Sequence, residues 1–263
     1  MPALVALLSD FGSRDWFVAA MKMVVLRHYP DAVLVDITHE VPPGDIRAGA
    51  FILGQCWREF PPGTVFLAVV DPGVGSARAG LVVNIKERLF VGPDNGLFSF
   101  PLVRTGEKPI TRRLENPAWR PPVPSPTFHG RDIFAPAAGI LASGTLWEKS
   151  GPIHPKPVVL SWPEPKFGKT EACGEIIHFD HFGNAITNLH RDSFDDVEDW
   201  TAGRLTLGRR RLPLVKTYAE VPLGQPLAYF GSSNFLEIGI RNGDARKNYK
   251  LQLGQMATLR WSY

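Results

Sequence analysis

Ala3-Leu4-Val5-Ala6-Leu7-Leu8-Ser9-Asp10-Phe11-Gly12 begins with an unbroken apolar run and turns polar at once. A half-buried strand alternates apolar and polar residues, whereas an apolar run this short and continuous marks a strand covered on both faces. The segment has no basic leader and its apolar run stops at Asp10, so it is expected as a strand and not as a signal peptide. Working outward, Asp15 to Arg27 places Val18, Met21, Val25 and Leu26 at helical spacing, and Ala32 to Ile37 reads as a second strand. Asp45 can cap a helix that carries Ile46, Ala50, Leu53 and Trp57 on one face. Thr64 to Val70 is a third apolar strand, followed by Leu81 to Ile85 and Leu89 to Val91. The β-α-β-α-β order predicts an α/β layer with a largely parallel sheet.

Prolines 101, 109, 117, 121, 122, 124 and 126 break that order, so residues 101–126 are expected to run over the surface without a long helix. Asp132 to Ser143 resumes a helix, interrupted early by Pro136. A second cluster, Pro152, Pro155, Pro157, Pro163 and Pro165, reads as a domain junction. Beyond it come only short strand-like runs: Gly174 to Phe179, Arg204 to Leu207, Leu227 to Phe230, Phe235 to Ile240 and Ala257 to Trp261. The expectation is an N-terminal α/β domain over 1–160, a linker over 161–170, and a smaller antiparallel β-barrel-like domain over 171–263.

At 44% hydrophobic residues the chain has the composition of a packed protein. Its 29 basic and 26 acidic residues leave a formal charge of +3, too small and scattered for a nucleic-acid track or an anionic membrane surface. No apolar stretch approaches the ~20 residues a membrane-spanning helix needs. Cys56 and Cys173 stand alone, which speaks against a thiolate zinc site or a disulfide scaffold. A cytoplasmic protein without a metal is expected.

Ligand sites in α/β sheets form beyond the carboxyl ends of the strands. Three polar clusters fall at such loops or at a helix start: Ser9-Asp10-Phe11-Gly12, Asp71-Pro72-Gly73-Val74-Gly75-Ser76-Ala77-Arg78, and Thr127-Phe128-His129-Gly130-Arg131-Asp132. The carboxylate of Asp10 suits a pair of ribose hydroxyls, or else a strand-end turn. Asp71 and Arg78 bracket a glycine-rich loop and can pair across it, either structurally or at a site. His129 is a candidate acid or base, with His39 as a rival after the second strand. In the β half, Asp180-His181-Phe182-Gly183-Asn184 offers a carboxylate, an aromatic face and an amide, while Ser232 to Glu237 offers hydroxyls and a carboxylate.

Taken in order, these clusters, with Asp36-Ile37-Thr38-His39 and Gly92-Pro93-Asp94-Asn95-Gly96, resemble the S-adenosylmethionine hydroxide adenosyltransferases. These are the adenosine-forming S-adenosylmethionine hydrolases, relatives of the fluorinases and chlorinases. The resemblance runs along essentially the whole chain and implies the two-domain fold just described. It also implies a homotrimer whose sites lie between the N-terminal domain of one subunit and the C-terminal domain of the next. It carries Asp71, Arg78 and His129 over as the set that positions and activates water, and Asp10 as the ribose carboxylate. Asp180, Ser232, Asp15 and Glu237 fall around the methionine part, Asn184 and Asn242 near adenine with Phe182 as a wall, and Phe128 within the substrate site.

Departures from the halogenase pattern decide the nucleophile. Asp71 and Val74 replace a tyrosine and a threonine, His129-Gly130 replaces a tyrosine and the halide-contacting serine, and Gly44 replaces a tryptophan. A carboxylate repels a small anion but accepts a hydrogen bond from water. The reaction implied is hydrolysis of S-adenosylmethionine to adenosine and methionine, with no cofactor. The alternatives are a non-catalytic S-adenosylmethionine or adenosine binder and a halide-using enzyme.

Overall fold

The computed structural model describes residues 3–103, 109–194 and 203–261, which divide into two compact units, 1–160 and 161–263. In the first, strand β1 (Leu4–Ser9) lies between β2 (Val33–Thr38) and β3 (Val65–Val69), parallel to both. Next come β5 (Arg88–Pro93), β4 (Gly80–Ile85) and β6 (Ile110–Arg113), completing a six-stranded sheet in the order β2-β1-β3-β5-β4-β6. The sheet is mostly parallel, as expected, but β4 runs antiparallel to both its neighbours. β4 reaches β5 through Lys86-Glu87, both with positive φ, a two-residue hairpin turn built without the usual glycine or asparagine.

The apolar run at the N-terminus behaves as its composition demands. Val5 and Leu7 join one core with Met21 and Val25 of α1 (Phe17–His28) and Ala138 and Leu141 of α4 (Ala135–Ala142). Ala6 and Leu8 point the other way, into a core with Leu53 of α2 (Ile46–Cys56) and Leu102 of α3 (Ser99–Val103). All four strand residues are at most 1% exposed. Asp45 caps α2 as predicted, its carboxylate accepting the Ala48 N–H at 2.9 Å. The helix predicted over Asp132–Ser143 begins instead as a π-helical turn over Gly130–Phe134, with Pro136 absorbed in the first turn of α4.

The second unit is an antiparallel sheet ordered β11-β10-β14-β8-β9-β13-β12, with the two-residue β7 (Lys166–Phe167) pairing onto β8. The strands are β8 (Glu171–Phe179), β9 (Ala185–His190), β10 (Arg204–Leu207), β11 (Arg210–Pro213), β12 (Pro226–Phe230), β13 (Phe235–Ile240) and β14 (Met256–Arg260). A bridge between Leu214 and Ala228 joins the two edges and nearly closes a barrel around Leu189, Leu205, Leu236 and Leu259. The sequence reading omitted β9 and β11, and β7 falls inside the segment read as a linker. A short helix, α5 (Ala245–Tyr249), is capped by Asp244. No helix among the described residues is long and apolar enough to cross a membrane.

Candidate active site

Two polar centres emerge, one in each unit. In the first unit, Asp71 follows β3 and Arg78 precedes β4. The intervening loop needs Gly75 at φ +79, where a Cβ would stand 2.7 Å from the Pro126 carbonyl. Arg78 reaches back across this loop. Its Nε donates to Asp71 Oδ1 at 2.9 Å and its Nη2 to Oδ2, a bidentate pair in which both side chains are almost buried. The same Nη2 lies 2.7 Å from His129 Nδ1.

Guanidinium nitrogens only donate, so His129 Nδ1 must accept and the imidazole is the neutral tautomer protonated at Nε2. Burial, and next the Arg78 charge, hold this imidazole below its ordinary pKa, consistent with that state. The π-helical turn that starts at Gly130 sets His129 at its head. A Cβ on Gly130 would crowd Met21 Sδ at 3.0 Å and the Phe11 ring at 3.3 Å, so this position tolerates only a very small side chain.

Asp10 follows β1 and accepts the Gly44 N–H at 2.8 Å. Burial pushes its carboxyl above the usual range, the Gly44 hydrogen bond opposes this, and repulsion from Asp71 adds to it. Three of the predicted residues are therefore directly linked, Asp71, Arg78 and His129, and Asp10 lies within their electrostatic reach. Phe128 is buried and packs edge-on against Phe11, Phe17 and Trp16 at centroid distances of 5.3–5.7 Å. Asp15 stands exposed in the loop before α1.

His39, the rival candidate, has both ring nitrogens committed. Nδ1 is 2.6 Å from Ser9 Oγ and Nε2 is 3.0 Å from Asp36 Oδ1, and Asp36 also accepts from Lys22. This is a serine–histidine–aspartate chain, but Ser9 is 0% exposed, which shuts its hydroxyl off from solvent. The chain braces the ends of β1 and β2, assisted by Gly12 N donating to the His39 carbonyl at 2.7 Å.

In the second unit, Phe182, Asn184 and Asn242 line one cavity of about 700 Å³, together with Tyr218, Arg241 and Gly243. Phe182 is 72% exposed and Asn184 is buried. Asp180 follows β8, its Oδ1 accepting the Asn184 N–H at 2.8 Å and its Oδ2 the Asn184 side-chain amide at 2.7 Å. Asp180 also lines a smaller, more polar pocket with His181, Arg246 and Lys247. Ser232 is exposed in the turn between β12 and β13. Glu237 is buried at 7% exposure, and its Oε2 accepts from the Tyr229 hydroxyl at 2.5 Å.

Sequence reasoning missed Tyr218 and Tyr229. Tyr218 did have a signal: Thr217-Tyr218-Ala219-Glu220 is a T-x-x-E capping box, and Glu220 takes the Thr217 N–H at 2.8 Å. Among the described residues no group of three His, Cys, Asp or Glu side chains is placed to hold a metal ion. Both cysteines are free thiols, Cys56 pushed up to about 11 by burial.

The pairing of such a parallel-sheet unit with a nearly closed antiparallel barrel is shared along the full chain by known proteins. Residues 5–151 match the SAM hydroxide adenosyltransferase N-terminal domain and residues 174–258 the SAM hydroxide adenosyltransferase C-terminal domain, SAM being S-adenosylmethionine. The chain belongs to that family. It is 40% identical to the (R)-S-adenosyl-L-methionine hydrolase of Thermus thermophilus, covering 97% of this chain and 98% of that protein. A fluorinase from an Actinoplanes species is more distant, at 27% identity over 98% of this chain and 99% of its own length. A crystal structure of an uncharacterised conserved protein from Thermotoga maritima superposes with a TM-score of 0.91 at 35% identity, covering 98% of this chain and all of that one.

Proposed function

We propose that this protein hydrolyses S-adenosylmethionine to adenosine and methionine at the Asp71–Arg78–His129 centre. The observation that carries the reading is the imidazole of His129, kept neutral by a guanidinium that is itself neutralised by Asp71. Such a centre presents an N–H donor and carboxylate lone pairs to a water molecule without net charge to trap a halide. Water oxygen bonds to the ribose C5′ as the C5′–S⁺ bond breaks, and the electron pair leaves on sulfur as the neutral thioether of methionine. The leaving group carries its own activation, so the reaction calls for no cofactor and no general acid. With His129 Nδ1 engaged by Arg78 and Nε2 already protonated, the water proton passes to a free lone pair of Asp71. Positioning and desolvation supply the rest of the acceleration.

Asp10 holds the ribose hydroxyls and Phe128 backs the site beside His129. The cavity of Phe182, Asn184 and Asn242 takes adenine, and Asp180, Ser232, Asp15 and Glu237 surround the methionine end, Glu237 with its Oε2 already committed to Tyr229. The protein is read as cytoplasmic, and both units contribute to this set, which supports a homotrimer in which neighbouring subunits complete each other's sites. Mixing His129→Ala with Asn184→Ala tests this at substrate concentrations well below the raised KM of Asn184→Ala, because variants that exchange subunits gain activity above that of the separate preparations only if sites are shared. The reaction itself is tested by product analysis with and without excess chloride. Adenosine formed regardless of chloride, and lost in His129→Ala and Asp71→Asn, is expected. Chlorinated nucleoside, or bound but unchanged S-adenosylmethionine, overturns the reading.

A further inference from the structure

The Gly92-Pro93-Asp94-Asn95-Gly96 motif has no part in the function so far, and it sits where the sheet order makes a demand. Asp71 and Arg78 lie on the connection between β3 and β4, yet those strands are not neighbours. β5 lies between them, so the connection must pass the end of β5. Asp94 and Asn95 are the first two residues beyond that end, and each holds one side of the loop. The Asn95 side-chain amide donates to the Val70 carbonyl at 2.8 Å, next to Asp71. The Asp94 backbone N–H donates to the Ala79 carbonyl at 2.9 Å, next to Arg78. Arg78 Nη1 turns back to the same Ala79 carbonyl at 3.4 Å, so the acceptor that Asp94 fixes also helps to aim the guanidinium.

The motif is itself anchored on its far side. Asp94 Oδ2 is 2.9 Å from His154 Nε2, with both side chains nearly buried, and Oδ1 accepts the Val158 N–H at 2.8 Å. Asn95 Oδ1 accepts the Leu97 N–H at 3.2 Å, which fixes the rotamer that points its amide at Val70. Gly92 lets β5 come close to β3, since a Cβ there would stand 2.2 Å from the Ala68 carbonyl oxygen. The Asp71–Arg78 pair needs such a frame. It spans a loop with glycines at 73 and 75, and a bidentate pair forms only when the two backbones are held at the right separation.

We infer that Asn95 is a positioning residue for the reaction: with the Asp94 backbone it clamps both ends of the 71–78 loop and so holds Asp71 and Arg78 in the geometry that engages His129. The inference rests on the function proposed above. Asn95→Ala and Asn95→Ser both remove the reach to Val70, and the serine hydroxyl can still accept from Leu97, which guards the fold. Asn116→Ala is the matched control. Its side chain also donates to a distant carbonyl, Lys149 at 2.8 Å, and accepts an N–H two residues on, Ala118 at 3.0 Å, and neither bond meets the 71–78 loop.

In the full-length protein both Asn95 variants are expected to lose about 10–100-fold in kcat with KM within a few-fold, the size expected of misplaced reacting groups. Loosening the loop also withdraws Arg78 from His129. Burial and the Arg78 charge are the largest influences holding that imidazole below its ordinary pKa, ahead of the opposing Asp71 and Asp132, with Arg120 a smaller aid. The NMR titration of His129 in the variants should therefore move upward, toward the ordinary value, while Asn116→Ala leaves both readouts as in wild type. Folded Asn95 variants that keep kcat, or lose it with the His129 titration unmoved, overturn the inference while the proposed function stands, as does an Asn116→Ala that behaves like them. If wild type itself releases no adenosine, the proposed function falls, and the His129 titration alone decides whether Asn95 positions this centre.

Discussion

The two polar centres are built alike and charged differently. Each is a hydrogen-bonded chain that ends on a carboxylate and offers one neutral group outward: Asp71–Arg78–His129 in the α/β unit, Glu237–Tyr229–Tyr218 in the barrel. In the first, a guanidinium pairs with the carboxylate in bidentate fashion. In the second the carboxylate meets only phenol, and burial raises the Glu237 carboxyl above its ordinary range. A centre with internal charge can stabilise charge that shifts during a displacement, because its dipoles are already oriented. A centre that presents only hydroxyl and amide groups to its cavity discriminates shapes and hydrogen-bond patterns. The α/β unit is therefore read as the part that acts, and the barrel as the part that chooses.

The sharpest way to break this division is kinetic. His129→Ala removes the neutral imidazole and leaves the buried ion pair intact, so kcat is expected to fall by about 10²–10⁴ with KM changed far less, as measured by adenosine release. Asp71→Asn should match it in rate and also cost stability, because Arg78 is left as an uncompensated, nearly buried cation. A loss confined to KM in either variant would move these residues to substrate binding.

Asn184→Ala makes the reciprocal test. It deletes the amide that Asp180 holds in place, and KM is expected to rise by roughly 10–100-fold while kcat stays within a few-fold. A smaller effect of the same kind is expected from Gly239→Ala, whose added methyl must push the Asn184 oxygen or the Tyr218 ring by several tenths of an ångström. Its KM should rise by about tenfold or less. Equal losses of kcat in these barrel variants would erase the distinction between the two centres.

The two centres were also unequally legible in the sequence. Asp71 and Arg78 bracket a loop whose glycines announce it, and the strand before it is apolar throughout because the sheet buries both faces. The barrel offered weaker signals. β9 was overlooked because Asn188 and His190 interrupt its apolar pattern on a strand with one more exposed face. Tyr229 reads as another core aromatic, since nothing local reveals that its hydroxyl meets Glu237 across the β12–β13 pairing. The antiparallel direction of β4 was hidden because Lys86-Glu87 lacks the residues that usually mark such a turn. His39 illustrates the opposite error: a histidine after a strand looks reactive until its partners, thirty residues away and three residues away, are seen to occupy both nitrogens.

The smallest expected effect separates the centres by the sign of their pH dependence. The folded His129 imidazole has a lowered pKa, so the unfolded chain binds its proton more readily. Its contribution to stability is full above the ordinary imidazole range and is lost as pH falls through that range toward the folded value. Glu237 behaves in the opposite way: its folded carboxyl is raised, so its contribution is full below the ordinary carboxylate range and is lost as pH rises through the folded value. Chemical denaturation of His129→Ala across the mildly acidic range should therefore show a weaker acid-side loss than wild type. In Glu237→Gln the change belongs at lower pH, where the loss of stability with rising pH should be relieved. Each effect is expected as a change of slope, not a uniform offset. A parallel displacement of either curve would mean that the substitution altered packing alone, and that the charge environment assigned to that centre is wrong.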